Sequence, residues 1–211
     1  RLPDTPKPEV AVHKFSSCDG CQLAFLNAGE ALLDLAELVD IVHFAEAGPL
    51  DFEADVDIAF VEGSISTGEE IERIRRVRAN SRMVVTLGAC ATAGGLQALR
   101  NLADRQEWLQ AVYPDAAHLS GLGDASPLSQ AVPVDLELWG CPVNGRQVMA
   151  AVRALLFGVR PVENRDKVCM ECKRQQAVCV LVAKGEPCLG PVTGTGCGAR
   201  QGSPLATSTH T

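Results

Sequence analysis

The stretch Val10-Ala11-Val12-His13-Lys14-Phe15-Ser16-Ser17-Cys18-Asp19-Gly20-Cys21 decides how the chain is read. Its first six residues form an apolar run of strand type, and two thiols follow at once, separated by Asp19 and Gly20. The arrangement recurs twice downstream. Cys90 closes Met83-Val84-Val85-Thr86-Leu87-Gly88-Ala89-Cys90, and Cys141 closes Val134-Asp135-Leu136-Glu137-Leu138-Trp139-Gly140-Cys141, with Pro142 next. Three strand-like segments thus deliver thiols just past their carboxyl ends. In an open parallel sheet those ends converge on one crevice, the usual ligand site. Four thiolates meeting there suit an iron–sulfur cluster better than a set of disulfides.

The periodicity around these segments alternates between strand and helix. Strands are expected at Val10–Phe15, Leu38–Phe44, Val56–Val61, Met83–Leu87 and Val134–Leu138. Helices are expected at Gln22–Leu35, Thr67–Ala79, about Gly95–Leu102 and Gly145–Phe157, from apolar residues at helical spacing. Acids in the first turn of the second helix (Glu69, Glu70) and arginines in its last suit the helix dipole. A Gly-, Pro- and Ser-rich stretch from Asp115 to Pro133 reads as loop. The order predicts an α/β fold, a flavodoxin-like doubly wound parallel sheet, with a C-terminal loop-rich iron–sulfur appendage. The division is expected as residues 1–160, carrying the first thiol set, and 161–211, a cysteine-rich tail.

Five of the nine cysteines lie in that tail, whose one apolar patch is Val178–Ala183. Such a segment buries too little apolar surface to fold without a staple. Cys169, Cys172, Cys179 and Cys188 offer one, beginning with a CxxC pair, and Cys197 follows in a Gly-rich setting. Soft thiolates suit cluster iron, but four cysteines equally suit structural zinc. Cys179, inside Ala177-Val178-Cys179-Val180-Leu181, also reads as an ordinary buried thiol. Cys18 and Cys21 taken alone would fit a redox dithiol; Cys90 and Cys141 at equivalent strand ends weigh against that. Gly20, Gly88 and Gly140 permit close backbone approach to a bulky cofactor, and Pro142 stiffens the exit turn.

Composition narrows the function classes. The odd count of nine cysteines argues against a closed disulfide set. A net charge of −7 offers nothing to nucleic acid. No stretch has the length of a membrane span, and no cleavable leader is evident in Arg1–Pro8. The thiols are therefore expected in reducing cytoplasm, where metal is the common use of paired cysteines. Glu62, closing the third strand, reads either as shaping the cluster pocket or as a solvated carboxylate. Glu30 reads as an exposed helix acid. His13, His43, His118 and His210 lie outside the cysteine motifs and are assigned no ligand role. Arg73, Arg75, Arg76 and Arg78 read as a solvated helix face.

These motifs together resemble a known family. Phe15-Ser16-Ser17-Cys18-Asp19-Gly20-Cys21-Gln22-Leu23, Phe60-Val61-Glu62-Gly63-Ser64, Leu87-Gly88-Ala89-Cys90-Ala91-Thr92-Ala93-Gly94-Gly95 and Gly140-Cys141-Pro142-Val143 look like the small subunit of nickel–iron hydrogenases. The tail, Cys169-Met170-Glu171-Cys172-Lys173-Arg174, Pro187-Cys188-Leu189-Gly190-Pro191-Val192-Thr193 and Gly196-Cys197-Gly198, is similar to the cytoplasmic NAD(P)-linked branch, the sulfhydrogenase δ subunits. The resemblance implies that Cys18, Cys21, Cys90 and Cys141 hold the proximal 4Fe–4S cluster. That cluster would face a nickel–iron large subunit and relay electrons through the tail cluster toward flavin- and NAD(P)-binding partners. The related 20 kDa subunit of complex I opens its cluster motif with two adjacent cysteines, whereas Asp19 and Gly20 intervene here. The family's tail normally continues past the position of Cys197 through further cysteines that complete another cluster. Here Gly198–Thr211 contains none, so a third complete cluster is not expected and Cys197 reads as a spare thiol, or as the start of a further cluster if the chain runs on beyond Thr211. Two other readings remain: a small iron–sulfur subunit of a quinone- or formate-linked complex, and an assembly module with one cluster and a structural zinc tail.

Overall fold

The computed structural model describes residues 6–113, 115, 119–161 and 166–194. Five strands, β1 (Glu9–Lys14), β2 (Asp40–Phe44), β3 (Val56–Glu62), β4 (Ser81–Leu87) and β5 (Leu136–Leu138), form one sheet in the order β2-β1-β3-β4-β5. All pairings are parallel. This is the doubly wound flavodoxin-like order, and its strand order reverses beside β1 and β3.

Residue alternation builds the two faces. On one, Val10, Val12, Ile58, Phe60, Val85, Leu87, Leu136 and Leu138 pack with Phe25, Leu35, Val148 and Val152. These last four come from α1 (Gly20–Leu26), α2 (Glu30–Ala36) and α6 (Gly145–Leu156). On the other face Ala11, Ala59, Val61 and Val84 pack with Ile74 and Val77 of α3 (Gly68–Ala79), with Ala91 of α4 (Gly88–Ala93), and with Leu128. Successive strand residues point to opposite faces. With both faces covered, the strands read as near-continuous apolar runs. Thr67 caps α3: its hydroxyl accepts the Glu70 N–H at 3.2 Å while Glu70 accepts the Thr67 N–H at 3.1 Å, a reciprocal capping box.

Several helix boundaries differ from the sequence reading. The single helix expected over Gln22–Leu35 is two, α1 and α2, because Gly29 adopts φ 61° between them. The segment Leu96–Leu102 is a 3₁₀ helix. A short helix that the sequence reading did not include, α4, opens directly after β4 and holds Cys90. A further helix, α5 (Arg105–Val112), is capped by Asp104, whose carboxylate accepts from the Gln106 and Glu107 N–H groups at 2.7 and 3.1 Å. Within 166–194 lie α7 (Val168–Arg174) and α8 (Val180–Ala183). Among the described residues no helix is long and apolar enough to cross a membrane.

Candidate metal centre

Strand register brings the thiols together. Lys14 pairs with Glu62, Glu62 with Leu87, and Leu87 with Leu138, so four strands end on one line. The segments leaving that line carry Cys18 and, in α1, Cys21 after β1, Cys90 in α4 after β4, and Cys141 after β5. They are laced to one another. Ser16 and Ser64 exchange backbone hydrogen bonds of 3.2 and 2.9 Å, and the Ala89 N–H donates to the Gly140 carbonyl at 2.7 Å. Glu70 Oε1, at the head of α3, accepts from the Ser16 hydroxyl at 2.9 Å.

Glu62 does more than mark the strand end. It is 1% exposed; its Oε1 accepts the Cys21 N–H at 3.0 Å and its Oε2 the Gln22 N–H at 3.1 Å. A carboxylate satisfying the first N–H groups of a helix is favoured by charge and geometry alike. This holds α1, and with it Cys21, against the end of β3. The reading of Glu62 as a solvated carboxylate is therefore set aside. Asp19, the N-cap residue of α1, adopts φ 64° and accepts from Lys14 Nζ at 2.8 Å and from the Ser17 hydroxyl at 3.1 Å. Hydrogen bonds to Asp19 and then Glu46 hold the Lys14 amine well above the usual ammonium range.

No disulfide joins any of the eight described cysteines. Cys21 is buried and Cys90 partly so, while Cys18 and Cys141 are exposed. Burial pushes the Cys21 thiol up to about 12, and the charges of Glu62, Cys90 and Cys141 act in the same direction. Cys90 is raised chiefly by burial, with Cys141, Cys18 and Glu62 adding to it. Cys21 thus senses Cys90 and Cys141, and Cys90 senses Cys141 and Cys18. Deprotonated together they repel strongly, and a cationic metal core removes that cost.

The backbone around the thiols leaves room that side chains would fill. A Cβ on Gly88, at φ 80°, would collide with Cys21 Sγ. A Cβ on Gly20 would lie 3.4 Å from Cys18 Sγ and 3.5 Å from Pro142 Cβ. Among the described residues no three His, Cys, Asp or Glu side chains close to the spacing of a single metal ion. A cluster sets a different condition, since each thiolate binds its own iron. The donor set, four soft thiols with a Gly-lined approach, fits an iron–sulfur cluster.

In the tail, Cys169 and Cys172 lie one turn apart on α7, hence on one side of it. Gly190 sits between Cys188 and Cys169: its Cβ position is 3.4 Å from Cys188 Sγ and 3.5 Å from Cys169 Sγ, and its N–H donates to Cys188 Sγ at 3.4 Å. Cys179 is exposed at the head of α8, which corrects the reading of it as an ordinary buried thiol. Cys197, His118 and His210 lie outside the described residues. Of the other histidines, His13 on β1 and His43 on β2 are buried and stacked at 4.6 Å between ring centroids. Glu30 is exposed. Arg73 departs from the solvated face assigned to it. Its guanidinium donates to the Lys14 carbonyl at 2.8 Å and lies 4.7 Å from the centroid of Phe15.

Comparison with known proteins fits this geometry. Residues 18–155, which include all four converging thiols, match the family model of the NADH ubiquinone oxidoreductase 20 kDa subunit. The chain belongs to this family. Within it, the chain stands with hydrogenase subunits. It is 34% identical over 192 residues to the sulfhydrogenase 2 subunit delta of Pyrococcus furiosus, covering 91% of this chain and 80% of that one. It is 25% identical to the iron–sulfur subunit of the F420-non-reducing hydrogenase of Archaeoglobus profundus, over 86% of this chain and 74% of that protein. Its fold superposes with a TM-score of 0.68 on a chain of a crystal structure of NAD+-reducing [NiFe]-hydrogenase in the H2-reduced state, at 29% identity, covering 74% of this chain and 95% of that one. This hydrogenase-type subunit is an oxidoreductase component.

Two residues central to the hydrogenase-type site were hidden or half-hidden in its sequence. Glu62 was visible as a lone acid closing an apolar strand before Gly63. Gln97 carried no signal, because its partner Cys90 lies seven positions back across a reversal of the chain.

Proposed function

We propose that the chain is the electron-transfer small subunit of a nickel–iron hydrogenase, working between the nickel–iron centre of a large subunit and a flavin- and NAD(P)-linked partner. Cys18, Cys21, Cys90 and Cys141 hold a 4Fe–4S cluster, and Cys169, Cys172, Cys179 and Cys188 a second one. The observation that carries the reading is the shared register of Lys14, Glu62, Leu87 and Leu138, which sets the three thiol-bearing exits of β1, β4 and β5 on one edge of the sheet. A bound cluster supplies one-electron exchange at low potential. This chain's own residues supply the holder: thiolates as ligands, Glu62 to fix the helix bearing Cys21, and Gly88 to let α4 approach. The residues 1–160 house this centre, and 161–211 form the tail that carries the second.

The partner contact follows from exposure. Cys18 and Cys141 are open to solvent. Beside Cys90, Leu96, Leu99 and Leu102 are 75, 55 and 83% exposed, and residues three apart on a 3₁₀ helix line up. An apolar ridge next to exposed ligands supports a covering subunit there. The chain works in the cytoplasm in this reading. Anaerobic purification of the native assembly tests it. A hydrogenase large subunit should co-purify, together with hydrogen-dependent dye reduction. A quinone- or formate-linked assembly, or the chain alone without hydrogen chemistry, would replace the reading.

A further inference from the structure

The amide of Gln97 lies between two thiol-bearing elements. The chain reaches it through Gly94 and Gly95, at φ 85° and 63°, which fold the segment after α4 back over Cys90. A Cβ on Gly95 would stand 2.6 Å from Cys90 Sγ and 2.9 Å from Gln97 Oε1, so the missing side chain lets amide and thiol meet. Gln97 Nε2 donates to the Ser16 carbonyl at 2.7 Å, and the Cys90 thiol donates to Gln97 Oε1 at 3.4 Å. One partly buried side chain thus ties the loop leading to Cys18 and Cys21 to the helix carrying Cys90.

A cysteine that ligates iron is a thiolate and has no proton to donate. The Gln97 oxygen would then face a negative sulfur, lone pair against charge. The same amide carries two N–H donors, of which Ser16 uses one. Its terminal torsion is soft, so a partial turn replaces the oxygen by the second N–H while the bond to Ser16 is kept. We infer that Gln97 is a positioning residue that donates an amide N–H to the Cys90 sulfur in the cluster-bound protein and so tunes the reduction potential of that cluster. The inference rests on reading Cys18, Cys21, Cys90 and Cys141 as cluster ligands. A donor to a ligand sulfur draws off negative charge and favours the reduced cluster. Its loss therefore moves the potential to more negative values.

Two variants of the full chain, purified anaerobically with its native partners, test this. Gln97→Leu removes the donor; Gln97→Glu keeps the shape but replaces the donor by an anionic oxygen. Iron and acid-labile sulfide are counted first, and each protein is then titrated by EPR against defined potentials. Both variants should keep wild-type iron and shift one reduced-cluster signal to more negative potential, Gln97→Glu further than Gln97→Leu. Unchanged potentials at full iron overturn the assignment. So does loss of iron from both variants, which makes Gln97 a scaffold for assembly. A wild-type protein without iron overturns the cluster reading itself, and the iron count separates that failure from a failure at Gln97 alone.

Discussion

The carboxylate of Glu62, closing β3, accepts the backbone N–H of Cys21, opening α1, at 3.0 Å in a site 1% exposed. The second carboxylate oxygen takes the Gln22 N–H. A strand end and a ligand-bearing helix are thereby joined through one buried side chain. The cost of burying that charge is offset by two charge-assisted hydrogen bonds. The fold and the site share this joint.

Glu62→Ala leaves the two N–H groups without their acceptor in a buried setting, which costs about 1–3 kcal/mol. The variant should unfold at lower denaturant concentration and retain less iron than wild type. Glu62→Gln, which keeps one acceptor, should fall between. Chemical denaturation and an iron assay on the three proteins check this, and equal stability and iron in all three would remove the role given to Glu62.

Gly88→Ala places a methyl group against Cys21 Sγ at a left-handed φ of 80°. The backbone strain alone costs about 1–2 kcal/mol. Iron loss should exceed what the drop in stability explains, because the methyl occupies the approach between α4 and α1. The check is iron content beside the far-ultraviolet circular dichroism, which should remain that of a folded α/β protein.

Much of this was legible in the sequence because strands and thiols announce themselves locally. The runs Val10–Phe15, Met83–Leu87 and Val134–Leu138 are short and largely apolar, and the thiols that follow them pointed to one sheet edge. What stayed hidden depends on backbone angles or distant partners. Gly29 splits α1 from α2 through its φ, within an apolar periodicity that runs on unbroken. The helix α5 was hidden although Asp104 stands three residues before Glu107, a readable cap; its residues are nearly all exposed and show no apolar stripe. Arg73 looked solvated because its partners, Lys14 and Phe15, lie on another element.

His13 and His43 give the chain a pH signature separate from the thiols. Burial lowers the His13 pKa from 6.5 to about 3, with His43 and Arg73 adding to it, and burial and Arg73 lower that of His43. Both are neutral in the native state near neutral pH, whereas the unfolded chain takes up protons below about 6.5. Stability therefore falls as pH drops below that value and gains nothing above it, by up to about 1.4 kcal/mol per pH unit for each histidine. His13→Phe should flatten this loss between about pH 7.5 and 5.5. A variant whose pH dependence matches wild type would remove the assignment.

In the proposed reading Cys169, Cys172, Cys179 and Cys188 are ligands of the tail and Cys197 is a spare thiol. Cys188→Ala should lower iron by roughly one cluster, because Gly190 sits between its sulfur and that of Cys169. Cys197→Ala should leave iron and sulfide unchanged. Loss of iron from the second variant would make Cys197 a ligand, and zinc in place of iron in the tail of the wild type would turn the tail into a structural site.

The central claim is that four thiols from three strand exits hold one 4Fe–4S cluster, and Cys90→Ala tests it most directly. Iron and acid-labile sulfide per chain are measured beside the EPR spectrum of the reduced protein, wild type against variant, both prepared anaerobically. The account predicts a fall of about four irons and four sulfides per chain, with loss of one reduced-cluster signal and survival of the tail signal. Unchanged iron, sulfide and spectrum in Cys90→Ala would contradict it.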